Sequence, residues 1–270
     1  MSTFKMDYFR TYYFTNICDS VIEDTFPYVT TLNDFWGDGK FAYFLKPFQK
    51  YSVLHQYIDF CIDRLIYEAN KGLGELSIEQ LKTKEFWINE ALNYHKIEHE
   101  TFSDWLVSAN DTHNHPEDLL SEYFFDIEMS DAFSMLKYQM VEEAFYVLFL
   151  NRKFLQAFNL EMAEMFNVEH IEDFNEESIY LKKNETLKRT RIPKWAERAV
   201  FYRDRGKCTA CNKDLTGLFN ISNKYHIDHI IPLSANGLND VSNLQLLCET
   251  CNTSKGGKIW ATSTNYEKWY

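Results

Sequence analysis

Several features are missing from this chain, and each absence narrows what it can do. There is no long hydrophobic run: Ala144–Leu150 reaches seven apolar residues, far short of the roughly 20 that cross a bilayer. The first 31 residues lack a basic start and a small-residue cleavage site, so they do not read as a secretory signal. No glycine-rich phosphate loop occurs, so a step driven by nucleotide hydrolysis would need another protein. Internal repeats and low-complexity segments are absent too. Cysteine is scarce, six in 270 residues. With no signal, that scarcity argues for a reducing compartment, the cytoplasm, over a secreted disulfide scaffold.

The placement of those cysteines is more informative than their number. Four form two pairs, Cys208-Thr-Ala-Cys211 and Cys248-Glu-Thr-Cys251, about 36 residues apart. Cys18 and Cys61 stand alone in apolar settings. Two such knuckles set four thiolates around one structural Zn²⁺. The loop between them holds Tyr225–Leu233, alternating well enough for a short strand. Pro232 and Ser234-Ala235-Asn236-Gly237 end that strand with turn chemistry. Leu244–Leu247 reads as a second strand, and Cys251–Ile259 as a short helical turn carrying Asn252, Lys255 and Lys258.

The series Asp228-His229, Asn243, Asn252-x-x-Lys255, interleaved with the four cysteines, resembles the HNH endonuclease family of zinc-bound ββα-metal type. The resemblance covers about residues 190–260. It implies phosphodiester cleavage leaving a 5′-phosphate and a 3′-hydroxyl, on DNA, with restriction or anti-phage defence as the setting. It also implies His229 as general base, Asp228 as ligand of a catalytic Mg²⁺ or Mn²⁺, Asn243 as the loop-bracing residue and Asn252 as second ligand.

The residue types fit that chemistry independently. A neutral His near its free pKa accepts a proton at pH 7. An Asp carboxylate and an Asn amide oxygen are hard ligands suited to Mg²⁺. Many family members carry His where Asn252 stands, so a nitrogen-favouring metal is less suited here. His226 shares a strand face with Asp228 and is a further candidate ligand, though a strand His is more often structural.

A non-catalytic zinc module that binds nucleic acid, with a helical interaction scaffold, is the rival reading. A pure binder needs none of Asp228, His229 and Asn252.

Charge is divided unevenly. Residues 182–270 hold 15 Lys and Arg against 8 Asp and Glu, a net of +7, while residues 1–181 carry −19. We therefore expect a helical domain over 1–181 and a nuclease domain over 182–270 with a basic N-terminal arm. The fold class expected is mostly α, with a small α+β module of ββα-metal type and a four-Cys zinc site. Lys188, Arg189, Arg191, Arg198, Lys255 and Lys258 are the expected contacts to nucleic acid. The acidic helical domain is expected to meet a protein partner or a second copy of the chain, and no membrane.

Along the chain, Val53–Asn70 reads as a helix, and Ser77-Ile78-Glu79-Gln80 as a capping box opening a long helix towards Asn93. Glu117–Leu150 and Arg152–Asn167 read as further long helices. His95-Lys96-Ile97-Glu98-His99 has the form of an inverted zinc-protease motif, but its charged setting favours chance. His113 and His115 sit in a turn. Pro193 opens a helix that Gly206 stops. The tail ending in Trp269-Tyr270 is expected to pack back on a domain.

Overall fold

In the computed structural model, residues 9–37, 39–71, 73–108, 115–168, 176–217, 224–260 and 262–263 are described. His113 and the Trp269-Tyr270 tail lie outside them. The chain divides into two compact units, one gathering Met1–Phe14 with Ile58–Ala144 and the other Thr15–Tyr57 with Phe145–Tyr270. The fold is mostly helical, with one small two-stranded sheet among the described residues. Among the described residues no helix is long and apolar enough to cross a membrane.

Helix α1 (Thr11–Glu23) and helix α2 (Val29–Trp36) precede α3, which spans Val53–Asn70 as its apolar spacing predicts. Leu54, Ile58, Cys61 and Ile66 are buried along it. The capping box is present at α4 (Ile78–Thr83): Ser77 Oγ accepts from Gln80 N, and Gln80 Oε1 accepts from Ser77 N.

The helix does not run on to Asn93. It stops at Thr83, whose hydroxyl bonds back to the carbonyls of Glu79 and Gln80, and α5 restarts at Trp87–Tyr94. The extended residue between, Phe86, is buried against the rings of Phe102, Tyr123 and Phe124.

Helix α6 (Phe102–Ser108) follows, and then a second break that the periodicity conceals. The stretch Glu117–Leu150 is two helices, α7 (Pro116–Glu128) and α8 (Asp131–Leu150). Ser130 separates them, its hydroxyl donating to Ile127 O at 2.6 Å and accepting from Phe133 N at 3.2 Å. One side chain thus closes one helix and caps the next.

The His95–His99 pair is not a helical ligand pair. Helix α5 ends at Tyr94, and Lys96 takes φ 58. No metal-binding cluster among the described residues includes either imidazole.

In the second unit, α9 (Arg152–Val168) packs Phe158 on Tyr57, and α10 (Lys194–Arg203) starts after Pro193. Gly206, at φ 61, donates its N–H to Phe201 O beyond the end of α10. Strands β1 (Tyr225–His229) and β2 (Leu244–Cys248) pair antiparallel, with His229 opposite Leu244 and Asp228 opposite Gln245. Helix α11 (Glu249–Lys255) follows directly.

β1 stops four residues short of Leu233. Ile230 N–H still reaches Asn243 O in register, but Asn243 N–H turns to Asp240 O and Ile231 N–H to the Asn243 side chain, so the ladder ends there. A buried ionic group fixes β2 from its other edge. Arg203 donates twice to Asp204 at 2.9 Å and once to Leu244 O at 2.7 Å. Asp204 accepts from Leu246 N, and Arg152 lies 3.7 Å from its other oxygen.

Candidate active site

The four cysteines come together. Cys208 and Cys211 sit on a tight knuckle closed by Cys208 N–H to Lys213 O, with Asn212 at φ 59. Cys248 ends β2, and its sulfur accepts from Cys251 N across the start of α11. All four sulfurs lie within 4.8 Å of one another, and Cys211 Sγ is 3.8 Å from Cys248 Sγ. A tetrahedral zinc with bonds of about 2.3 Å has sulfur–sulfur edges of roughly 3.8 Å. The donor set and spacing fit zinc. Among the described residues this is the one group of three or more His, Cys, Asp or Glu side chains placed to hold a metal.

On the strand framed by that knuckle, His229 is buried, 3 % exposed. Its Nε2 faces Asn239 Oδ1 at 3.3 Å. Burial pushes its pKa down to about 4, with Arg189 and Lys255 acting in the same direction and Asp228 and Asn239 opposing. The expectation of a histidine near its free value is therefore not met: the low-dielectric setting disfavours the imidazolium.

Asp228 is only 13 % exposed at its side chain. Its Oδ2 makes an ion pair with Lys255 Nζ at 2.8 Å, without the angle of a hydrogen bond. The same ammonium donates to His229 O at 2.8 Å. His226, half-buried, has no hydrogen-bond partner at Nε2. Asn252 lies one helical turn before Lys255 on α11.

The loop between the strands is pinned from inside. Asn243 is fully buried; its Oδ1 accepts from Ile231 N at 2.8 Å, and its Nδ2 donates to Ile231 O and Leu238 O at 2.9 Å. Gly237 sits so close that a Cβ there would lie 1.9 Å from Ile231 O. Only glycine fits that approach. Asp240, also buried, accepts from Ser242 N, Ser242 Oγ and Val53 N. Its burial raises its pKa, against the pull of those three donors.

Residues 208–258 match the HNH endonuclease family. The comparisons with curated proteins and with solved structures gave no match.

The matched region gathers Asp228, His229, Asn243 and Lys255 within one β-β-α unit. The expected nucleic-acid contacts are more scattered. Arg189, Arg191, Arg198 and Lys258 are exposed, and Arg189 is near enough to act on His229. Lys188 is exposed, but its ammonium donates to Ile179 O at 2.7 Å.

Lys255 is not a surface cation. It is 2 % exposed, and both its partners are in the protein, so it contributes charge to the interior of the site. Sequence reasoning missed Asn239, which bonds His229 and also donates to Lys188 O at 2.8 Å. A lone Asn in a Gly-Leu-Asn-Asp turn gives no signal beyond turn chemistry. Asp240 was missed for the same reason.

Proposed function

We propose that the protein is a divalent-metal-dependent endonuclease that hydrolyses phosphodiester bonds of DNA, with restriction or anti-phage defence as its setting. The observation that carries this reading is the convergence of Asp228, His229 and Lys255 beside a loop locked by Asn243. With Nε2–H donated to Asn239, the free lone pair of His229 falls on Nδ1, the atom that takes the proton from attacking water. The depressed pKa keeps that imidazole neutral at pH 7. Asp228, its Oδ2 without a hydrogen bond, and Asn252 are the hard-oxygen donors that would hold Mg²⁺ or Mn²⁺, with His226 Nε2 as a further donor. That ion, when bound, supplies charge relief on the phosphate and the leaving oxygen. Lys255 adds fixed positive charge behind Asp228. A zinc held by Cys208, Cys211, Cys248 and Cys251 would have no open position and would serve structure.

One observation favours a second reading. His229 is nearly sealed from solvent and Asp228 already has an ammonium partner, which suits a zinc module that only binds nucleic acid.

Cleavage of plasmid and single-stranded DNA in Mg²⁺ and Mn²⁺ separates the two. The wild-type chain is expected to cut, and His229→Ala to lose on the order of 10²–10⁴ in rate with zinc content and DNA affinity unchanged. A wild-type protein that binds DNA and cuts neither substrate with either metal belongs to the second reading.

A further inference from the structure

Beside the HNH module, in the same compact unit, is a cavity that the catalytic reading leaves unused. It measures about 350 Å³ and is lined by Tyr43, Lys46, Gln49, Glu177 and Tyr180. One wall is the 3₁₀ turn Lys40–Leu45 and the loop after it; the other is the turn Glu176–Tyr180. Tyr43 is 67 % exposed, an aromatic ring with no core to enter.

Both walls are tied to the loop that holds His229. On one side Phe48 N–H donates to Asn239 O at 2.8 Å. Phe48 adopts φ 51, a left-handed conformation costly for a bulky side chain and kept only where surroundings enforce it. On the other side the Asn239 side chain donates to Lys188 O, Lys188 N–H donates to Tyr180 O at 2.8 Å, and the Lys188 ammonium bonds Ile179 O. Asn239 is also the partner of His229. One residue thus sets the position of the histidine and of both cavity walls.

The lining suits a nucleobase. Tyrosine rings stack on any base, and the volume falls in the range of small-ligand pockets. Lys46 has no ion pair among the described residues and can meet a backbone phosphate. Gln49 spends its Nε2 on Tyr43 O at 3.0 Å, leaving its Oε1 as an acceptor, and the Glu177 carboxylate is a second. Two acceptors recognise an exocyclic amino group. Thymine and uracil have none.

We propose that this cavity receives a base of the substrate strand beside the cut, and that it favours adenine, cytosine or guanine over thymine or uracil. The substrate class rests on the endonuclease reading; the binding preference is measured without cleavage.

The test uses the full chain carrying His229→Ala, with short single strands of oligo-dC and oligo-dT compared at one salt concentration. Oligo-dC is expected to bind about tenfold more tightly, in line with the discrimination a pair of good base-edge contacts gives. Glu177→Gln is expected to shrink that ratio, because an amide also donates to the thymine carbonyls. Tyr43→Ala is expected to weaken both strands about tenfold through lost stacking, with zinc content unchanged. Equal binding of the two strands, or a ratio untouched by Glu177→Gln, overturns the proposal. A wild-type chain that cuts nothing yet keeps the Glu177-dependent preference refutes the nuclease reading and leaves the base site standing.

Discussion

Around Tyr123 the first unit packs rings; around Asn243 the second packs hydrogen bonds. Among the described residues of the first unit, Asn89 is the one polar or charged residue buried as a whole, and it serves Tyr123, whose hydroxyl it meets at 2.8 Å. The interior of the second unit holds Arg152, Asn159, Arg203, Asp204, Asp240, Asn243 and Lys255, among others. An apolar core asks only for shape and volume, and tolerates many sequences. A polar interior asks for each partner by name, because an unmatched buried group costs about 1–3 kcal/mol. That exactness holds a loop such as Ile230–Asn243 in one geometry, which a site with a defined base and ligand needs.

The strongest way to break the comparison is to remove the zinc ligands. Cys248→Ser is expected to abolish zinc binding and the folded β-β-α module, since structural zinc contributes on the order of 10 kcal/mol to such small modules. Elemental analysis and a thermal melt check it. Zinc-free protein that melts like the wild type would show that the polar interior stands unaided.

Next in size is Asn243→Ala. It strands Ile231 N, Ile231 O and Leu238 O, an expected loss of about 3–5 kcal/mol in urea denaturation. The counterpart in the ring-packed unit, Tyr123→Phe, strands fewer groups and is expected to cost about 1–2 kcal/mol. Equal losses would erase the contrast.

The pH dependence comes third. Burial pushes His55 down to about 4, where it stacks on Phe145 with centroids 3.7 Å apart. Above pH 6.5 the ring is neutral folded and unfolded, and its stabilising contribution is complete. As pH falls from 6.5 towards 4, the unfolded chain binds a proton that the folded chain refuses. Stability should then fall by up to about 1.4 kcal/mol per pH unit from this group. Buried His229 acts in the same direction. Urea midpoints at pH 7 and pH 5 should differ less in His55→Phe than in the wild type.

The smallest effect concerns the surface. Arg189→Ser with Arg191→Ser is expected to weaken DNA binding uniformly across sequences and to flatten the salt slope by about one unit per lost phosphate contact. Lys188→Ser should add less, because its ammonium is already engaged at Ile179 O. A slope unchanged by the double substitution moves the phosphate grip elsewhere.

Much of this was legible in the sequence where a signal is local and periodic. The spacing of α3, the box at Ser77, the strand pair and the four-cysteine cluster all appear where their residues put them. The breaks at Thr83 and Ser130 were not, because an apolar pattern at helical spacing continues through a short interruption without losing phase. The sequence offers Lys255 as a contact to nucleic acid, because a Lys near the end of a short helix carries no sign of burial. It turns inward because Asp228 and the His229 carbonyl converge there, and that convergence is a tertiary fact. Asn239 and Asp240 were invisible for a related reason. Turn residues read as turn residues until a distant partner gives them another task.

The Asp240 carboxylate holding Val53 N–H at 3.0 Å joins residues 187 positions apart. At a synthesis speed of 5–20 residues per second, the amide waits roughly 10–40 s for its partner to emerge from the ribosome. The start of α3 is made early, and its acceptor arrives with the very loop that presents His229. Until then the first turn of α3 is made without the carboxylate that holds it, and the two are completed together.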